Sequence, residues 1–586
     1  MRTNIVTRWA EKAVCAMPLP EYPRPQMVRD NWLNLNGKFD YAITDENAKW
    51  IDKVDGEILV PFSIESELSG VGKKITENDR LWYRKVFTIP NSFKGKRVIL
   101  HLDSVDWQSK VYINRKLMGE HFGGYCRISY DITDALIDGE NELVVWVYDP
   151  TEKGWQNRGK QDSVSHGFWY TPTTGIWKTV WLEAVSENYI KGYRLVPDID
   201  AGVIDLKTDV VGSGELKIKI LDGDKIVAEE KISADAKVDV NNAKLWSPES
   251  PFLYDFVLEL SSNGTVVDSV KGYFGMRKFS IGKDKDGHAR LMLNNNPYFQ
   301  RGLLDQGYWP DGILTPPVDE AMVYDIEKMK ELGFNMLRKH IKVECDRWYY
   351  YCDKLGMLVW QDMISGGAYI GDILAGVYPN LGIGVKDTGD KQYRKFSRAK
   401  KEWRDNYEAE LREVMDQLYN VPSICCWVPF NEGWGQFDAK RIATEIKEYD
   451  PSRFVDHASG WYDQKGPDFK SMHKYVVPII MPRLDERPFV ISEFGGYQNG
   501  VPGHVWDDGK TFGLYLKFKN KETLSNAYRK LHEQQVIPLI KKGLCATVYT
   551  QVSDVEFELN GMLTYDREVV KLDENMLKDI NSKLTY

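Results

Sequence analysis

A chain of 586 residues is too long for one ordinary domain, so roughly two to four are expected. Its 42% hydrophobic and 28% charged residues are those of a soluble globular protein, and a net charge of −9 leaves no basic footprint for nucleic acid. Seven scattered cysteines without a CxxC read as reduced thiols rather than a disulfide framework or zinc site. No signal-peptide h-region stands out, and no apolar run reaches the roughly 18 residues needed to span a bilayer. A cytoplasmic protein with no membrane partner is the expectation.

Residues 1–187 read as all-β. Short alternating runs such as "RVILHLDSV", "KVYINRKL" and "NELVVWVYD" are separated by turn clusters, the pattern of an antiparallel sandwich. Within this stretch, "NRGKQDSVSHGFWYTP" (157–172) is polar with an aromatic end and is expected to be a packed interdomain loop, with a reach to the barrel mouth as the alternative. Residues 188–280 are again β and of immunoglobulin-domain size, with turns predicted at Asp222-Gly223-Asp224 and Asn263-Gly264. The Asn263-Gly264-Thr265 sequon is read as that hairpin rather than as a glycan site.

From residue 281 to 586 apolar strand-like runs alternate with helical ones. Asp284-Lys285-Asp286-Gly287 faintly matches the start of a calcium loop. Its twelfth position is Asn295 rather than Glu, so a hairpin turn is expected. The runs "YFQRGLL", "FNMLRKH", "MLVWQDM", "ICCWVPFNE", "RFVDHASG", "SMHKYVVP", "FVISEFGG" and "LCATVYTQ" make eight strands, the count of a (β/α)₈ barrel. An open doubly wound sheet lacks support, because no Gly-rich phosphate loop follows the first strand. Two long connections, from Ile364 to Phe396 and from Gly495 to Asn520, are expected to form active-site walls or lids.

In such a barrel the chemistry lies at the C-terminal ends of the strands. There the sequence places Asp305, then Arg338 and His340, then Trp360 and Asp362, then Asn431 and Glu432, then His457, then His473 and Tyr475, then Glu493, and finally Gln551. Glu432 and Glu493 end the fourth and seventh strands, whose tips face each other across the mouth of an eight-strand ring. Two carboxylates so placed are what cleavage of a glycosidic bond requires. A helix-capping Glu432 and a structurally paired Glu493 form the bland alternative. It accounts for each residue singly but not for both together.

"WVPFNEGWGQ" and "FVISEFGGY" resemble the two active-site signatures of glycoside hydrolase family 2, the β-galactosidase and β-glucuronidase family. "LWYRKVFTIP", "YTPTTGIWKTVWLEAV", "KLWSPESPFLYDFVLEL" and "MKELGFNMLRKH" are similar to its other segments, in the family's domain order. The resemblance implies a sugar-binding, jelly-roll-like β-sandwich (1–187), an immunoglobulin-like β-sandwich (188–280) and a catalytic TIM barrel (281–586). It further implies Glu432 as acid/base and Glu493 as nucleophile. Asn431 would hold the sugar 2-hydroxyl and Arg338 would keep the nucleophile ionised. Tyr475 would neighbour it, His340 and His457 would be subsite residues, and Trp360 and Trp434 stacking walls; Asp305, Asp362 and Gln551 are substrate-site candidates by their strand-end positions. The ending "GLLDQGYW" departs from the family's usual first-strand ending. The Asn-x-Lys motif by which β-glucuronidases read a carboxylate is not evident in "ELNGMLTYDREVVK".

The expected function is therefore a retaining, exo-acting glycosidase on an oligosaccharide or glycoside, with β-galactoside as the first sugar. β-Glucuronidase, β-mannosidase, arabinosidase and a non-catalytic carbohydrate-binding protein are the alternatives. No cofactor or metal is called for, and a homo-oligomer is compatible with the family.

Overall fold

The computed structural model of the protein describes residues 5–507, 511–513 and 515–586. Residues 1–4 of the N-terminal stretch, and 508–510 and 514 of the long connection after the seventh barrel strand, lie outside them.

The first all-β stretch folds as predicted into two facing antiparallel sheets. One has six strands, with Arg80–Thr88 and Glu140–Tyr148 at its centre; the other has four, with Arg97–Leu102 and Val180–Val185 central. Alternate residues of these strands point inward, so Leu81, Tyr83, Leu100, Val111, Val145 and Leu182 meet in one core. In the second stretch a three-stranded sheet packs on a four-stranded one around Ile204, Ile218, Phe256 and Leu258. Its hairpin between Tyr254–Ser262 and Thr265–Phe274 turns through Asn263 and Gly264, both at positive φ (50° and 77°), as the two-residue turn demands. The Asp284–His288 segment is likewise a turn, joining antiparallel strands Phe279–Lys283 and Ala289–Leu293.

The remaining residues build the barrel. Its strands are β1 (Gln300–Asp305), β2 (Met336–Lys339), β3 (Leu358–Asp362), β4 (Ile424–Val428), β5 (Phe454–Val455), β6 (Lys470–Lys474), β7 (Phe489–Gly495) and β8 (Leu544–Thr550). All eight predicted strands are present. They pair in parallel in the order β5-β4-β3-β2-β1-β8-β7-β6. Residues of β3, β4, β7 and β8 are buried on both faces, which explains their unbroken apolar runs. Between β5 and β6 a side chain spans the ring, with Ser471 Oγ donating to Asp456 Oδ2 at 2.8 Å.

Helices follow six of the strands but neither β5 nor β6. The segment after β6 carries Pro478, Pro482 and Pro488, and that after β5 carries Gly460, Gly466 and Pro467, so neither sustains a helical ladder. No helix among the described residues is long and apolar enough to cross a membrane.

Candidate active site

Glu432 owes its position to an unusual backbone. β4 runs on through Pro429 and Phe430, and Asn431 bridges to Ser459 of the segment after β5. Glu432 then takes a left-handed φ of 51°, its N–H donating to Ser459 O at 3.0 Å. For a residue with a Cβ this conformation costs roughly 1–2 kcal/mol. Gly433 and Gly435 follow at φ 71° and 66°, where glycine bears no such cost. This turn aims a carboxylate at the centre of the mouth, the kind of local strain that functional sites hold.

Across the mouth Glu493 lies on β7 itself. Arg338, on β2 and wholly buried, is bonded through all five of its N–H groups. Nη1 donates to Glu493 Oε1 and Ser492 O, both at 3.0 Å. Nε and Nη2 fork onto Asp362 at 2.9 and 3.0 Å, and Nη2 also donates to Asn431 Oδ1 at 2.9 Å. One guanidinium thus ties together β2, β3, β7 and the turn after β4, with no donor left over. Tyr475 OH donates to the other Glu493 oxygen and lies 3.0 Å from Thr550 Oγ1.

Burial by itself would push the Glu493 carboxyl up. Its neighbours His473 and Arg338 and the Tyr475 hydroxyl outweigh it and hold the group below the usual carboxylate range. His340 Nδ1 sits 2.8 Å from Asp362 Oδ2, and burial pushes its imidazole well below the usual range, leaving it neutral.

His473 stands between the carboxylates, its Nδ1 2.8 Å from Glu432 Oε1 and 3.6 Å from Glu493 Oε2. Ligand-type atoms of Glu432, His473 and Glu493 all lie within 4.8 Å of one another. Both oxygens of Glu493 accept hydrogen bonds, one from Arg338 and the other from Tyr475.

The cavity around this pair encloses about 430 Å³ and is lined by Asn431, Glu432, Trp434, His340, Tyr475 and Glu493 among the residues expected from sequence. Other expected substrate residues lie outside its wall. Asp305 is buried in an ion pair with Lys339 (2.7 Å) and accepts from Gly307 N (2.9 Å). Asp362 supports Arg338 and His340 from behind. Trp360 is fully buried in the barrel core, with Nε1 donating to Gln300 at 2.7 Å. His457 braces the segment after β5, its Nε2 accepting from Gln464 N at 3.1 Å. Gln551 is taken up by Asn560, at 2.6 Å. In each case a closer partner than the cavity claims the polar group.

Three wall residues come from the N-terminal sandwich: Lys160, Phe168 and Trp169. The 157–172 segment does pack between domains, with Arg158 and Gly159 N–H groups donating to Ser365 O at 3.1 and 3.0 Å. It also reaches the mouth. Trp169 meets Trp434 edge-on at 4.9 Å, with the Arg158 guanidinium over both rings. Its aromatic end was the only sequence signal of that role. The long connection after β3 contributes Tyr369 and Ile370, and that after β7 contributes Phe512 and Tyr515, so both form walls as expected. Glu558, after β8, completes the rim and accepts from the Tyr170 hydroxyl; burial pushes its carboxyl up.

Comparison with known proteins agrees with this architecture. Residues 61–178 match the glycosyl hydrolase 2 galactose-binding domain-like family, 188–277 match glycosyl hydrolases family 2, and 317–578 match the TIM barrel domain of that family. A putative β-glucuronidase of Formosa agariphila is 26% identical over 462 residues, 71% of this chain and 50% of that protein. A β-galactosidase of Thermoanaerobacter pseudethanolicus is 26% identical over 385 residues, 62% and 46% respectively. The chain thus spans about half the length of these relatives. The solved β-D-glucuronidase of Dictyoglomus thermophilum shares the fold at TM-score 0.75 and 16% identity, covering 96% of this chain and 98% of that one. With three successive domains matched in order, the chain belongs to glycoside hydrolase family 2.

Proposed function

We propose that the protein is a retaining, exo-acting β-glycosidase. The observation that carries this reading is the unequal pair of carboxylates. Glu493 is held ionised by its neighbours His473 and the fully bonded Arg338, and an oxygen of Glu432 lies within 4.8 Å of it. Retaining enzymes use a carboxyl separation of about 5–5.5 Å, against about 6.5–9.5 Å when a water must fit between. In the first step Glu493 attacks the anomeric carbon while protonated Glu432 gives its proton to the departing glycosidic oxygen. In the second, Glu432 takes a proton from water, whose oxygen displaces Glu493 and releases the sugar. Arg338 and Tyr475 hold the nucleophile still. Asn431, its Oδ1 occupied by Arg338, has its amide NH₂ left for a sugar hydroxyl.

For the sugar, a β-galactoside is the first reading, because the Asn-x-Lys carboxylate motif is not evident. A β-glucuronide is the second, and one observation favours it. Lys160 lines the cavity half-buried and offers a cation to a substrate carboxylate, although its charge already acts on the Glu558 carboxyl. Names among the relatives divide between these two activities. Turnover of a panel of nitrophenyl β-galactoside, glucuronide, mannoside and arabinoside, with Glu493→Ala as the blank, decides among them. No turnover of any member would leave the binding-protein alternative.

A further inference from the structure

We infer that the outer half of the cavity is a subsite for an apolar aglycone, an alkyl or aryl group rather than a second sugar. This rests on the glycosidase reading above.

A general acid must touch the glycosidic oxygen, so the leaving group departs on the side of Glu432, beyond β4. The segments after β3 and β5 flank that side, and the segment after β6, next to β7, continues the wall. They put Tyr369, Trp461, Val476 and Val477 into the cavity wall. Val476 is 54% exposed and Val477 and Tyr369 are each 48% exposed, while Ile373, on the short helical turn beside Tyr369, is 59% exposed. Trp461 is half-buried. Apolar side chains this open are scattered singly on most surfaces; here they adjoin one another at the entrance to a site. Tyr462 OH donates to Leu374 O at 2.5 Å and joins two of these segments into one wall. Of the charged groups on this wall, Asp372 accepts from the Tyr369 hydroxyl at 2.8 Å, and Lys474 stands two residues before Val476.

The opposite, inner end has another character. Lys160, His340, Asn431, Thr550 and Glu558 converge there, a set that suits sugar hydroxyls. Hydrogen-bonding groups are thus gathered around the catalytic pair, and the wall beyond Glu432 is mainly apolar. Continuity of the apolar wall with the catalytic pair points to the substrate itself as its occupant.

The test uses the full chain and the glycone that the panel selects, in three forms. These are the β-glycosyl fluoride, the n-octyl β-glycoside, and the equally long 2-(2-ethoxyethoxy)ethyl β-glycoside. The fluoride has no aglycone and reports the chemistry. The two alkyl glycosides differ in polarity at constant length, and the ether is if anything the better leaving group. Wild type is expected to prefer octyl by about tenfold in kcat/KM. In the double variant Val476→Asp/Val477→Asp the octyl-to-ether ratio should fall to near one; because a ratio is read, any general loss of activity cancels. Equal use of octyl and ether by wild type overturns the inference while fluoride turnover upholds the glycosidase reading. Absence of fluoride turnover in wild type overturns both. An unaltered ratio in the variant, with a drop in molar mass by light scattering, would assign the apolar wall to contact with a second copy and likewise overturn the inference.

Discussion

His473 Nδ1 lies 2.8 Å from Glu432 Oε1, while its Nε2 lies 3.1 Å from the Ser459 hydroxyl. This pairing satisfies Glu432 in both of the states its proposed role demands. When Glu432 is ionised, Nδ1–H donates to it and Ser459 donates to Nε2. When Glu432 is protonated it donates to Nδ1, and Nε2–H donates to a rotated Ser459 hydroxyl. His473 is thus a positioning residue whose tautomer follows the acid/base. His473→Ala should lower kcat by roughly tenfold to a hundredfold on an alkyl glycoside. KM for a dinitrophenyl glycoside should change little. Steady-state kinetics on the two substrates check this, and an unaltered kcat on the alkyl substrate would refute it.

Replacement of each carboxylate should give opposite chemistry. Glu432→Ala should retain glycosylation by a dinitrophenyl glycoside, stall at the glycosyl-enzyme, and yield β-glycosyl azide when azide is added. Glu493→Ala should lose turnover by roughly a thousandfold or more and yield the α-azide, since attack comes from the vacated face. Product NMR distinguishes the anomers.

The short Glu432–Glu493 separation predicts retention. Proton NMR in the first minutes of wild-type turnover should show the β-anomer of the released sugar before mutarotation. First appearance of the α-anomer would mean inversion and a different geometry.

On the proposed mechanism Arg338, together with His473, should set the acid limb of activity. The proposed nucleophile Glu493 must be ionised, and its lowered carboxyl pKa keeps it so on the acidic side. Removing the guanidinium in Arg338→Met takes away a charge that lowers this value, so the carboxyl rises and activity should fail at higher pH on the acidic side. Arg338→Lys keeps a charge but not five donors in a planar fork, and should recover the acid limb only in part. The pH dependence of kcat/KM measures both.

Glu65 offers a test remote from the site. Burial pushes its carboxyl up to about 8, while Thr174 N–H donates to Oε2 at 3.0 Å and Oε1 has no hydrogen-bond partner among the described residues. Folded-state protons are then held between the unfolded value of about 4.3 and 8, so stability falls as pH rises through that window. Glu65→Gln, neutral throughout, should show a shallower fall of Tm from pH 5 to 8 than wild type. Parallel Tm profiles would contradict the assignment.

The chain itself determined where the strands are and which two glutamates end facing strands. Runs such as "ICCWVPF" and "FVISEF" are apolar because both faces of a barrel strand are buried, and that is a local requirement written residue by residue. The two-residue turn at Asn263-Gly264 was legible for the same reason, since its positive φ values are a property of those two residues. The missing helices after β5 and β6 had their own local sign in the prolines and glycines, although the strand count alone suggested a complete (β/α)₈ alternation. What a strand-end polar residue does was not legible. Asp305, His457 and Gln551 occupy the same kind of position as Asn431 and Glu493, yet Lys339, Gln464 and Asn560 claim them. A hydrogen bond goes to whichever partner folding brings nearest, and a periodicity carries no information about that partner. Lys160, Phe168 and Trp169 make the point most fully. They belong to another domain, and only packing of the sandwich against the barrel carries them to a cavity whose carboxylates lie hundreds of residues away in the chain.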